Sequence, residues 1–325
     1  MTRVLVTGAS GFIGSHIVEA LTASGFLVRA LVRRSSSLSF IGRAEPAFGD
    51  VTDFQSLRQA LDGVQGVVHC AGLTKALSLE EYRRVNRDGT DNLLRACRAA
   101  SPTPERIVVL SSLAAYGPSR NGQPKREDDE RLPVSYYGRS KLEGQRAAES
   151  SMKDLSVSIL IPPAVYGPRD RDIFVYFRFA RIGIMPFLGR GERYLSVIYV
   201  KDLARAAVEC LLRNEAAGAG YFVEDGEVRT WRGFASAIVR AAGRRPVAVC
   251  FPPFIGWGVA LLADCCAGIA RRPPLLGTQK MRELLQSAWT CTGERIRRQL
   301  GWHAIYTLDK GVEETYSWYV TNGWL

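Results

Sequence analysis

Residues 3–21, RVLVTGASGFIGSHIVEAL, constrain this chain more than any other stretch: a β-branched run passes through Gly8, Gly11 and Gly14 straight into an amphipathic helical pattern. Glycines at this spacing serve a sharp turn, a close backbone approach to a pyrophosphate, and tight helix–strand packing. The helix amino terminus then offers unpaired N–H groups and the positive end of its dipole to the phosphates. Gly8, Ser10, Gly11, Phe12, Ile13 and Gly14 are therefore the expected pyrophosphate-binding residues.

Strand-like and helical runs then alternate, LVRALV, DFQSLRQAL, GVVHCAG, GTDNLLRACRAA and RIVVLSS following one another. This rhythm predicts βαβ units and a Rossmann-type, doubly wound parallel sheet in the α/β class. The unbroken apolar runs VVH and IVVL suit strands covered on both faces. Beyond VSILIPPAVYGP the pattern turns aromatic and irregular. We expect residues 1–165 to form the nucleotide-binding domain and residues 166–325 mainly a smaller substrate lobe, with some segments returning to the sheet. The polar stretch 118–133 reads as a mobile loop beside the site.

Composition narrows the chemistry. With 46% apolar and 23% charged residues among 325, disorder and small disulfide scaffolds are excluded. The net charge of +11 favours phosphates or an anionic surface, yet no nucleic-acid motif accompanies it, and no nucleic-acid partner is expected. Seven cysteines without a C-x-x-C pair, and three histidines, predict neither a disulfide framework nor a metal site. His16, His69 and His303 read as structural. No signal-like segment follows Met1, so a cytoplasmic location is expected.

The second strand ends at LVRALVRRSSS, where Val32 occupies the place of the acid that usually holds an NAD ribose and Arg33 and Arg34 follow. NADP(H) is favoured on this ground, with NAD(H) the alternative. In FGDVTD, Asp50 could accept from the adenine amine and Val51 cover its face, while Asp50 or Asp53 could equally cap the next helix. Tyr137 and Lys141 fall one turn apart in SYYGRSKLEGQRAAES, on one face of a helix. A cation beside a phenol favours its ionised form, which makes Tyr137 a candidate acid/base.

Together with the glycine loop, HCAGL at 69–73, VNRDGTDNLL at 85–94, RIVVLSSLAAYG, the Tyr137/Lys141 pair and PPAVYGP at 162–168, the chain resembles the extended short-chain dehydrogenase/reductase superfamily over roughly residues 1–205. The resemblance implies a proton-transferring Tyr137, a Lys141 that holds the nicotinamide ribose, a Ser112 that hydrogen-bonds the substrate oxygen, and an Asn86 that supports the relay. It also implies cofactor contacts at Cys70, Ala71, Gly72, Ser111, Pro162, Ala164 and Val165, and a homodimer built on the helices near 88–100 and 136–150.

Departures from the pattern bear on the substrate. Relatives acting on nucleotide sugars carry polar residues where this chain has Ile161, Ala164 and Leu195, although Arg190 or Arg193 could substitute; Leu113 and Ala114 replace the acid pair of the dehydratases. The carboxyl portion resembles 3β-hydroxysteroid dehydrogenase and dihydroflavonol reductase-like members. The expectation is an oxidoreductase interconverting a secondary alcohol and ketone on an apolar, steroid-like, terpenoid or lipid substrate. The alternatives are a nucleotide-sugar epimerase with tightly bound NAD and a non-catalytic, cofactor-binding scaffold. The apolar regions 174–188 and 251–270 would receive the substrate. Region 251–270 reads either as a buried lobe helix or, with Arg271, Arg272, Arg295, Arg297 and Arg298, as a contact with the inner face of a membrane.

Overall fold

The computed structural model describes residues 2–120, 122–245 and 247–325. Its central sheet has seven strands, all parallel, built outward in both directions from β1 (Arg3–Thr7). On one side of β1 lie β2 (Leu27–Val32) and then β3 (Glu45–Phe48). On the other lie β4 (Gly66–His69), β5 (Arg106–Leu110), β6 (Val157–Ile161) and finally the strand Ala219–Phe222. The register sets Val6 against Ala30 on one side and Val68 on the other. Strand order reverses at β1, so a crevice opens beyond the carboxyl ends of β1 and β4, where open α/β sheets bind ligands.

Both faces of the sheet are covered, as the apolar strand sequences require. Helix α1 (Phe12–Ala23) and the helix Val200–Leu212 cover one, packing Ile17, Leu21, Leu203 and Ala207 against Val4, Val6 and Val68. Helices α2 (Phe54–Ala60), α3 (Leu79–Asn86), α4 (Asp88–Arg98) and α5 (Tyr136–Ser151) lie on the other side, where Leu57, Leu93, Leu94 and Leu142 meet Leu5, Val67 and Ile107. The lobe has its own aromatic core of Tyr166, Phe177, Tyr199, Phe234 and Tyr319. It is pinned to the sheet half where the Tyr319 hydroxyl donates to the carbonyls of Gly167 and Asp170 and where His16 Nε2 lies 2.9 Å from the Pro168 carbonyl.

Several expectations need correction. Strand β3, EPAF, was not foreseen, because this edge strand is mostly exposed and carries a proline instead of an apolar run. The stretch 118–133 is anchored: Ser119 and Thr290 hydroxyls are 2.7 Å apart, Tyr116 donates to the Glu127 carbonyl, and the Glu127 carboxylate accepts from Phe222 N at 3.0 Å. Arg295 and Arg297 do not belong to a membrane-facing set, since they pair with Asp128 at 2.5 Å and Glu224 at 2.7 Å beside the sheet. Within 174–188, Phe174 and Phe177 pack edge-on against Tyr319 and serve the lobe core.

Candidate active site

The glycine loop lies at the switch point. Gly8 has φ +68°, and a Cβ there would come within 2.7 Å of Ala71 N, so the loops after β1 and β4 touch through this glycine. A Cβ at Gly14 would sit 2.1 Å from Gly8 O. Gly11 caps α1 without any side-chain hydrogen bond, leaving the first-turn amides around Phe12 and Ile13 to an outside acceptor. This side-chain-free cradle at a helix amino terminus fits a dinucleotide pyrophosphate. Ser10 lies in the turn just before that cap.

The floor beside the loop is set by a buried polar chain. Ala71 N donates to Thr7 Oγ1, which lies 2.7 Å from His69 Nδ1; His69 Nε2 lies 2.9 Å from Thr90 Oγ1, which donates to the Asn86 carbonyl. Because Thr90 donates onward, it accepts from His69, which places the histidine proton on Nε2. Burial, with the charge of Lys141, holds His69 down to about 3, and the ring is neutral. Asn86 Oδ1 accepts from Leu73 N, while Nδ2 donates to Leu73 O and to Ser140 Oγ. Asn86 thus joins the loop carrying Cys70, Ala71 and Gly72 to α5. Burial pushes the Cys70 thiol up to about 12, so it remains a neutral lining group.

Helix α5 reaches this floor through two glycines. A Cβ at Gly138 would lie 2.3 Å from Ala114 O, and one at Gly144 would lie 2.2 Å from Asn86 O. The first brings Tyr137 against the turn that Ser112 caps; the second seats Lys141 beside Asn86 at the end of α3. Sequence reading passed over both, although a glycine inside a helical pattern is itself a signal of close backbone approach. Ser112 Oγ accepts from Ala114 N, leaving its proton to donate, and its hydroxyl favours the ionised form of Tyr137.

Electrostatics here differ from expectation. Burial pushes Tyr137 up to about 12, against the opposite pull of Ser112. Lys141 donates to Leu110 O at 2.6 Å and is itself brought down to about 8 by burial. The ammonium is therefore engaged with the end of β5, and the phenol is held protonated at neutral pH. A protonated phenol beside the Ser112 hydroxyl can donate to an oxygen on which negative charge develops.

Opposite Tyr137 stand groups that sequence reading did not single out. The Tyr82 and Tyr137 rings are 6.1 Å apart, and the lobe helix Thr278–Leu284 contributes an ion pair, Lys280 to Glu283 at 2.9 Å, whose charges bear on Tyr137. Ser135, the cap of α5, donates to Glu283 Oε1 at 2.6 Å. A second pair, Lys75 with Asp172, neighbours Tyr82 and Lys280.

The remaining expected residues are spread around the crevice. Arg33 and Arg34 are exposed beyond β2, and among the described residues neither joins an ion pair; Arg34 lies over the Phe48 ring. Asp50 Oδ1 accepts from the amide and hydroxyl of Thr52, whereas Asp53 caps α2 through Gln55 N. Val51 is buried against Gly89 of α4. Ser111 directs its hydroxyl into α5, onto Gln145 Oε1 at 2.5 Å, and not toward the crevice. Pro162 accepts from Leu113 N; Ala164 is exposed, and Val165 pairs with Ile198. Ile161 and Leu195 are buried.

The sequence profile of the NAD dependent epimerase/dehydratase family matches residues 4–223. The ceramide reductase of Caulobacter vibrioides (strain NA1000 / CB15N) is 32% identical over 329 residues, covering 99% of this chain and 96% of the relative. The 3 beta-hydroxysteroid dehydrogenase/Delta 5-->4-isomerase of Mycobacterium tuberculosis (strain CDC 1551 / Oshkosh) is 27% identical over 341 residues, covering 98% and 90%. Among solved structures, MoeE5 in complex with UDP-glucuronic acid and NAD superposes with a TM-score of 0.78 at 26% identity, covering 99% of this chain and all of that one. Sheet order, glycine cradle and these matches agree, and the chain belongs to the NAD-dependent epimerase/dehydratase family of extended short-chain dehydrogenase/reductase enzymes.

Proposed function

We propose that this enzyme interconverts a secondary alcohol and a ketone on a lipid-like substrate, with NADP(H) preferred over NAD(H). The observation that carries the proposal is the wall opposite Tyr137. Tyr82 and the internally neutralised pairs Lys280–Glu283 and Lys75–Asp172 offer aromatic surface and compensated charge, which suits a neutral polar head better than a diphosphate. The apolar Ile161, Ala164 and Leu195 agree, as do the names of the ceramide and hydroxysteroid relatives. The cofactor preference rests on Val32 and on Arg33 and Arg34, which join no ion pair among the described residues.

A bound nicotinamide supplies hydride donation and acceptance. The chain's own residues do the rest: Ser112 donates to the substrate oxygen, and Tyr137 Oη passes a proton to it as it becomes an alkoxide. Lys141 and Asn86 position the cofactor-side floor. A phenol held near 12 starts protonated, ready to serve as the proton donor when the ketone is reduced. Tyr137→Phe is expected to lower turnover at least about 100-fold while nucleotide affinity stays unchanged. The deciding assay follows NADPH consumption with ketone-bearing lipids or sterols against turnover and binding of UDP-sugars. Micromolar binding of a UDP-sugar, with no lipid turnover, would replace this proposal with the epimerase.

A further inference from the structure

The helix Pro253–Ala270 leaves most of its surface exposed. Phe254 is 72% exposed, Leu261 56%, Leu262 69% and Ile269 88%, with Ile255 and Val259 exposed beside them. Its buried side is a row of small residues, Gly256, Ala260 and Ala267; Gly256 meets Met281 and Leu188. Asp264, the sole charged residue of the helix, is turned to the lobe, where its Oδ2 accepts from Thr278 N at 3.0 Å and Thr278 Oγ1 at 2.6 Å. The outward surface is thus long, apolar and uncharged.

Both ends of that surface carry cations. Arg271 and Arg272 follow the carboxyl end, and Arg190 and Arg193 flank the amino end, where a Cβ at Gly189 would lie 3.7 Å from both Pro253 and the Arg193 guanidinium. Among the described residues none of the four joins an ion pair, and neither does Glu192, the acid in that turn. A second copy of the chain would bring the same four arginines and only one acid, Glu192, to meet them. A helix–helix seam would also cover one stripe, whereas exposure here extends around most of the helix.

We propose that this helix lies in the surface of an anionic lipid bilayer, its apolar side among the acyl chains and its terminal arginines on the headgroups. Its 18 residues reach about 27 Å, close to the thickness of a hydrocarbon core. It rests on the surface instead of spanning, because Gly256 and Asp264 fasten it to the lobe toward both of its ends. The helix to which it is fastened, Thr278–Leu284, carries Lys280 and Glu283 opposite Tyr137. A lipophilic substrate leaving the bilayer would therefore meet the active cleft next. This last step rests on the proposed function; the docking itself does not.

Vesicle flotation tests the docking without any substrate. The full chain should float with phosphatidylglycerol-containing vesicles at low salt, and about tenfold less with purely phosphatidylcholine vesicles or at high salt. The double variant Leu261→Glu/Leu262→Glu should lose flotation, and Arg271→Glu/Arg272→Glu should weaken it about tenfold, both with unchanged thermal melting and NADPH binding. Three results would overturn the proposal: wild-type protein that fails to float, Leu variants that float as well as wild type, or a dimer that the Leu substitutions split while vesicles never bind. Resistance to alkaline carbonate extraction would overturn the surface orientation in favour of a spanning helix. Docking without lipid turnover would refute the substrate assignment alone.

Discussion

At Gly14, Gly138 and Gly144 an added Cβ would sit 2.1, 2.3 and 2.2 Å from a main-chain oxygen, whereas at Gly258 and Gly268, on the exposed lobe helix, it would meet nothing within 4 Å. The sheet half is positioned by backbone pressed on backbone. Its crevice, cradle and helix α5 are set by contacts within the chain that leave no room for a methyl group. The outer lobe helix is held on one narrow side only, and its remaining surface is left exposed. Glycine thus carries different information in the two regions: at Gly14, Gly138 and Gly144 it reports a backbone contact, whereas at Gly258 and Gly268 it reports open space.

Gly14→Ala is the strongest way to break this comparison. Main chain cannot yield as a flexible side chain can, so the clash with Gly8 O should cost about 3 kcal/mol or more and abolish measurable nucleotide binding. Thermal melting with and without NADPH reads both effects. Wild-type melting and affinity in this variant would mean that the cradle is looser than its geometry implies.

The same contrast explains what was legible in the sequence. The glycine loop, the alternating elements and the Tyr137/Lys141 spacing were readable because local patterns encode them. The Thr7–His69–Thr90–Asn86 chain was not, since its members are up to 83 residues apart and each looks ordinary alone. The Lys280–Glu283 pair was hidden for the same reason: only folding brings helix Thr278–Leu284 to the α5 cap. For residues 251–270 the sequence allowed a buried or a surface helix, because high apolarity suits both; the direction in which Leu261 and Leu262 point decides it.

Lys141 sharpens the comparison, because the sheet half bears the cost of burying its ammonium. Its ammonium titrates near 8 in the fold against 10.5 for an unperturbed lysine, so the folded state binds fewer protons between these values and stability rises with pH across that window. Lys141→Met removes the burial penalty and also the bond to Leu110 O. The net expectation is a protein about 1–2 kcal/mol more stable than wild type at pH 7, losing that advantage as pH approaches 10.5, and strongly impaired in turnover. Denaturant titrations of the cofactor-free protein at pH 7 and pH 10 check this. An advantage independent of pH would remove Lys141 titration as its cause.

Arg33 tests the rim of the crevice, where the sheet half resembles the lobe in leaving cations unpaired. Arg33→Ala should weaken NADPH about tenfold, roughly 1.4 kcal/mol, and leave NADH nearly unchanged, because only NADPH presents the additional phosphate. Calorimetric titration with both nucleotides separates the outcomes. Equal losses would assign Arg33 to a feature the two cofactors share.

The smallest effect comes from the matched glycine in the other region. Gly258 lies within the helix Pro253–Ala270, has no positive φ, and faces open space. Alanine there restricts the unfolded chain without meeting any atom in the folded one, so Gly258→Ala should raise stability by about 0.5–1 kcal/mol and leave NADPH affinity untouched. The substitution adds one methyl group to the apolar side, so vesicle flotation should be retained or slightly increased. A loss of stability comparable to that of Gly14→Ala would show that this face is covered by the chain or by a second copy in solution. Gain of stability at Gly258 together with loss at Gly14 is the combination that backbone-set and surface-set helices require.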